Sequence, residues 1–183
     1  MANGGWCVSC FRNTVEHGFA FFQIIFMKVV FFHGLESEGP GGKAAYIEYI
    51  GNNVFADKMD YRDPCFLEGI WKEVEEFGPD YVVGSSMGGW FGLNMAVHLN
   101  VPCMLFNPAV VKRAVDITVP PLGSARPEVD LLLGKTDDVV NGHDVVDWMN
   151  LREFPINVTW ADCGHRVPPE VYGPWLDEVF ALY

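Results

Sequence analysis

The chain has 183 residues, half of them hydrophobic and a fifth charged, which suits one folded domain and excludes a disordered chain. A formal charge of −12, with no run of Lys or Arg, excludes nucleic-acid binding through a basic surface. The same acidity favours encounter with neutral or cationic small molecules over polyanions.

Residues 1–26 open with Cys7-x-x-Cys10, several glycines and an apolar end. No second C-x-x-C and no His pair at zinc-finger spacing accompanies the first, and no thioredoxin-like context surrounds it. Cys7, Cys10, Cys65, Cys103 and Cys163 are therefore read as reduced thiols of a cytoplasmic protein, with no metal site. The most apolar stretch, Phe19 to Phe32, is broken by Gln23 and Lys28 and is shorter than the ~20 residues of a membrane helix. With Arg12 offset by Glu16 and no small-residue cleavage site, it also reads poorly as a secretory signal, so no membrane association is expected. Residues 1–26 are expected to be an upstream extension with Met27 as the natural start; an added edge strand or helix is the alternative.

From Met27 the pattern becomes regular. Met27 to Phe32 (MKVVFF) reads as a strand buried on both faces, ending at His33-Gly34. After a Gly/Pro loop, Lys43 to Ile50 has helical spacing. Asn53 to Ala56 is a strand and Pro64 to Phe77 a helix with Leu67, Ile70, Trp71 and Val74 on one face. Tyr81 to Val83 is a strand, Met87 to Leu99 a helix, and Cys103 to Phe106 and Val129 to Leu133 are strands. His143 to Asn150 is helical, Ile156 to Trp160 extended and Glu170 to Leu182 helical. Strands alternating with helices predict an α/β fold with a mainly parallel sheet covered on both faces. The proline-broken segment from Phe106 to Val129 is expected either as a wall over a site or as a plain surface connection.

Gly84-Ser85-Ser86-Met87-Gly88 matches G-x-S-x-G with Ser86 at its centre. The pentapeptide alone is weak, but a buried strand precedes it and a helix follows, which is the setting of a nucleophile elbow. Small residues at −2 and +2 let the neighbouring backbones pass, and the helix N-terminus favours negative charge developing nearby. A serine needs a base, itself oriented by an acid, and in this strand order the partners follow as acid then histidine. His165, in Asp162-Cys163-Gly164-His165 between the last strand and the last helix, occupies the base position. His98 lies inside a helix, and His143 reads as a surface or capping residue. For the acid, Asp137 is preferred because G-x-x-D after the strand is the usual placement; Asp138 is the runner-up. Asp162 is an outside possibility, too near His165 in sequence to reach its Nδ1. Backbone donors to an oxyanion are expected at Met87 and at Leu35, with His33 structural. Gly39 to Lys43 lacks phosphate-loop spacing, and no G-x-G-x-x-G follows a strand, so no cofactor is expected.

The segments FFHGLES, GGKA, VGSSMGGWFG, FNPAV, LGKTDDVV and GHRV together resemble the small bacterial esterases of the YqiA/YcfP type, over about Met27 to Tyr183. The resemblance implies an α/β-hydrolase fold with a minimal cap across residues 27–183, and activity on short acyl esters or related thioesters. It implies Ser86, Asp137 and His165 as a triad, with Met87 and Leu35 as oxyanion donors. An acyl thioesterase using the same triad, or a non-catalytic binding protein on the same fold, are the alternatives. The extension at residues 1–26 and the doubled aspartate depart from the pattern.

Overall fold

The computed structural model describes residues 27–117 and 119–181. The expectations for residues 1–26, including Cys7 and Cys10, lie outside the described residues. Within them the chain runs β1 (Lys28–Phe32), α1 (Gly41–Tyr49), β2 (Asn53–Phe55), α2 (Pro64–Phe77), β3 (Tyr81–Ser85) and α3 (Met87–Leu99). It continues with β4 (Cys103–Phe106), β5 (Val129–Gly134), α4 (Gly142–Asn150), β6 (Ile156–Ala161) and α5 (Pro169–Phe180).

The six strands form one sheet in the order β2-β1-β3-β4-β5-β6, and every pairing is parallel. Parallel sheets need both faces covered, and the alternation within each strand shows how. Val30, Phe32, Val82, Cys103, Leu105, Leu131 and Leu133 pack with α2, α3 and α4 in one core. Val29, Phe31, Tyr81, Val83, Met104, Phe106 and Leu132 pack with α1 and α5 in the other. The apolar runs that read as doubly buried strands are thus central strands between two helical layers.

Local chemistry sets the helix ends. Asp63 accepts from the N–H groups of Cys65 and Phe66 at the start of α2, Pro64 follows it, and Gly78 closes the helix at φ 60°. Asn141 caps α4 by accepting from His143 and Asp144, so the capping expected of His143 belongs to Asn141. The helix α3 is buried nearly all round, as a helix crossing the middle of a sheet must be.

The chain turns round at β1. It moves from β1 outward to β2, then crosses back to β3 on the far side of β1. The connections leaving the carboxyl ends of β1 and β3 therefore run to opposite faces of the sheet, α1 on one and α3 on the other, and in open α/β sheets such a switch point opens a crevice. The loops after β1 and β3 carry Leu35 and Ser86.

Candidate active site

Ser86 stands between β3 and α3 at φ 55°, ψ −116°, a conformation unfavourable for an L residue. Four backbone bonds hold it there. Its N–H donates to Phe106 O (2.9 Å), and its carbonyl accepts from Gly89 (3.0 Å), Trp90 (3.3 Å) and Ala109 (2.9 Å). Space is equally demanding. A Cβ on Gly84 would sit 2.8 Å from Gly89 Cα, and one on Gly88 would sit 2.5 Å from His33 O. The small residues expected at −2 and +2 are thus required by backbone-to-backbone approach.

His165 Nε2 is 2.8 Å from Ser86 Oγ, and His165 Nδ1 is 2.8 Å from Asp137 Oδ2. A carboxylate only accepts, so Nδ1 carries the proton and Nε2 is left to accept from the serine hydroxyl. The other oxygen of Asp137 accepts from the N–H groups of Val139 (2.8 Å) and Val140 (2.9 Å). The Asp137 side chain is 1% exposed, against 21% for His165. Asp138 is exposed on the cavity wall. Asp162 points to solvent and pairs with Lys135 Nζ at 2.8 Å. Of the three candidate acids, the structure brings Asp137 to the imidazole.

Leu35 and Met87 both line the cavity beside Ser86. Met87 is the first residue of α3, so its N–H lies among the donors a helix cannot satisfy internally. The loop holding Leu35 is fixed by Ser37 N–H donating to Gly34 O (3.1 Å). His33 is 2% exposed. Its Nε2 accepts from Met59 N–H (2.8 Å), leaving Nδ1–H to donate to Gly34 O (2.7 Å), while Tyr61 OH donates to its carbonyl (2.6 Å). His33 is a structural clamp on the loop. The segment after β4 forms a wall, with Ala109, Lys112 and Ala114 on the cavity, while Val115, Ile117, Val119 and Leu122 pack onto the core.

Two residues at the site had no assigned role in the sequence. Asn107, at φ 43° and 1% exposed, ties together the loops bearing Asp137 and His165. Its Oδ1 accepts from Gly134 N–H (2.8 Å), and its Nδ2 donates to Gly164 O (3.2 Å) and His165 O (3.0 Å). The second is Lys43, early in α1, whose ammonium lies over the rings of Phe106 (5.0 Å) and Tyr172 (4.9 Å). Its Nζ donates to Val167 O at 3.4 Å, and burial lowers its pKa to about 8. Cys163, close by, has its thiol pushed up by burial and then by Asp137.

Ser86, His165, Leu35, Met87 and Lys43 all border one cavity of about 910 Å³. That volume is in the range of small-molecule sites.

No protein-family model matches the chain, and no curated protein matches it in sequence. Solved structures do match in fold. A monoacylglycerol lipase from Paleococcus ferrophilus aligns at TM-score 0.64 and 15% identity, over 85% of this chain and 92% of that one. Est1E from Butyrivibrio proteoclasticus aligns at TM-score 0.65 and 13% identity, over 86% and 88%. An alpha/beta hydrolase enzyme from a Medee basin deep-sea metagenome library aligns at TM-score 0.64 and 16% identity, over 86% and 83%. At such identities the likeness is one of architecture, and with the all-parallel sheet it establishes the α/β-hydrolase fold.

Proposed function

We propose that this chain is a serine esterase that cleaves short-chain carboxylic esters through an acyl-enzyme on Ser86, allied to the YqiA/YcfP type. The observation that carries the reading is the continuous hydrogen-bonded series Asp137, His165, Ser86, each link 2.8 Å. Ser86 Oγ attacks the ester carbonyl as its proton passes to His165 Nε2. The negative charge forming on the carbonyl oxygen is received by the N–H groups of Leu35 and Met87 at the positive end of α3. Collapse breaks the carbon–oxygen bond, and His165 returns the proton to the departing alcohol. Water then attacks the acyl-enzyme, its proton taken by His165, and the carboxylic acid leaves with Ser86 restored. Asp137 holds the imidazole in the required tautomer and stabilises its charged form. No step calls for a metal or an organic cofactor.

Short acyl groups fit this reading because the segment after β4 lies as a wall beside the cavity, with Ala109, Lys112 and Ala114 on it and Val115, Ile117, Val119 and Leu122 packed onto the core. A cytoplasmic setting belongs to the same proposal, consistent with free thiols at Cys65, Cys103 and Cys163. Among the described residues no helix is long and apolar enough to cross a membrane.

The test is hydrolysis of p-nitrophenyl acetate, butyrate and decanoate, with the matching thioesters, by wild type, Ser86→Ala and His165→Ala. The expected result is turnover of the short esters by wild type, lost by at least about a thousandfold in either variant. Turnover that survives Ser86→Ala would overturn the acyl-enzyme. A preference for decanoate would overturn the short-chain assignment, and faster thioester cleavage would make the protein a thioesterase.

A further inference from the structure

Across the whole chain acidic residues outnumber basic ones two to one, 24 against 12. In the cavity beside Ser86 the balance is reversed, with Lys43, Lys112 and Arg166 facing Glu36 and Asp138. Lys112, Arg166, Glu36 and Asp138 are exposed and lie at the mouth, whereas Lys43 is largely withdrawn from solvent. Its ammonium rests between the faces of Phe106 and Tyr172. Among the described residues it has no carboxylate within ion-pair distance, and its one hydrogen bond runs to a backbone carbonyl at 3.4 Å. The nearby Cys163 thiol is no counter-ion, since burial holds it in the neutral form.

Such a cation is unusual. Desolvated ammonium groups are normally paired, because taking one out of water without a counter-charge is strongly unfavourable. A wholly structural lysine would more economically be a methionine or leucine, which could fill the same space between two rings. Lys43 lines the cavity that also holds the hydroxyl and imidazole of Ser86 and His165, and equally the adjoining hollow bordered by Tyr172 and Val167. An arriving anion would meet there a donor that is already desolvated and already positioned, the arrangement that makes charge-assisted bonds strong.

We propose that Lys43 is the anion-recognising group of this cavity, and that the substrate is an ester carrying a free carboxylate. The inference rests on the esterase reading for the reaction, though not for the binding. One ammonium neutralises one carboxylate, whereas a phosphate monoester carries close to two charges and would be left half-neutralised between ring faces and a carbonyl oxygen. The acidic exterior is compatible with this. It repels polyanions at long range, while a monoanion needs one local contact once inside. Lys43 acts in selection and orientation, apart from the bond-making steps at Ser86.

The test pairs monomethyl glutarate, which carries a carboxylate, with dimethyl glutarate, which does not. Binding is measured by isothermal titration calorimetry on Ser86→Ala protein, where no turnover interferes, with and without Lys43→Met or Lys43→Gln; thermal melts check that each is folded. The expected result is binding of the monoester about tenfold or more tighter than the diester, with that ratio falling to about one in both lysine variants. Equal binding of the two esters by the Lys43 protein, or a ratio that survives both substitutions, overturns the proposal. Methyl phosphate binding more tightly than the monoester overturns the choice of carboxylate. Turnover of the same pair by the Ser86 protein is read separately: if neither ester is hydrolysed while the binding ratio holds, it is the esterase reading that fails and the anion site that stands.

Discussion

Asp137 and Asp138 are neighbours of identical chemistry, and a single turn gives them opposite surroundings. Asp137 is locked inward because one of its oxygens accepts from Val139 and Val140, which leaves the other for His165. Asp138 faces the cavity mouth. Asp137→Asn is therefore expected to lower kcat by about a thousandfold or more, since an amide can impose the wrong imidazole tautomer, while Asp138→Asn should change it by less than about tenfold. Steady-state kinetics on the two variants decide this. Ser86 itself bears backbone strain at φ 55°. Ser86→Gly should accordingly be more stable than Ser86→Ala by about 1 kcal/mol, although both lack the proposed nucleophile, because glycine adopts that conformation freely. Urea denaturation of the pair measures the difference, and equal midpoints would remove strain from the description of the elbow.

At the scale of elements, the elbow is a meeting of β3, α3 and the loop after β1 with no room between them. Gly88→Ala would press a methyl into the carbonyls of Phe32 and His33, so a loss of about 2–4 kcal/mol is expected, read as a lowered melting temperature. Asn107 performs the corresponding task between β4, β5 and the His165 loop. Asn107→Ala leaves the buried Gly134 N–H and the part-buried Gly164 and His165 carbonyls without this partner, at about 2 kcal/mol, and should lower kcat more than it raises KM, because the imidazole loses its support. An unchanged kcat would make the residue purely structural. These two cases also show what was legible in the sequence. The elbow was readable because its parts are contiguous: strand, serine and helix lie within one short stretch. His165 and Asp137 were reachable because each follows a strand in a fixed order. Asn107 and Lys43 carry no such local mark. Asn107 meets Gly164 across 57 residues, and Lys43 meets Val167 across 124, so their roles exist only once the sheet has brought those loops together. Between Asp137 and Asp138 the G-x-x-D spacing already favours Asp137, while the direction of the turn that aims it at His165 is visible only in the structure.

For the whole molecule, two helical layers around a parallel sheet put the candidate chemistry at the switch point beside β1, with Lys43 burdened by burial near it. Its pKa falls from 10.5 to about 8 on folding, chiefly through burial. Between those values the unfolded chain binds more protons than the native one, so the contribution of this group to stability rises with pH across that window. Lys43→Met should therefore stabilise the unliganded protein most at pH 7. The advantage should shrink by up to about 3 kcal/mol on approaching pH 10.5, with wild type followed in parallel so that the titrations of Tyr61 and Cys103 cancel, while that of Cys163, which Lys43 holds down, enters the difference. A stability difference that does not vary with pH would mean that Lys43 is not strained by its burial. The central claim, that the fold activates Ser86 through His165, is tested most directly by reaction with a fluorophosphonate and mass analysis of the intact protein and its peptides. A single covalent adduct on the peptide containing Ser86, absent from Ser86→Ala and strongly slowed in His165→Ala, is the predicted result. Folded wild-type protein that forms no adduct, or forms it elsewhere, would contradict the claim.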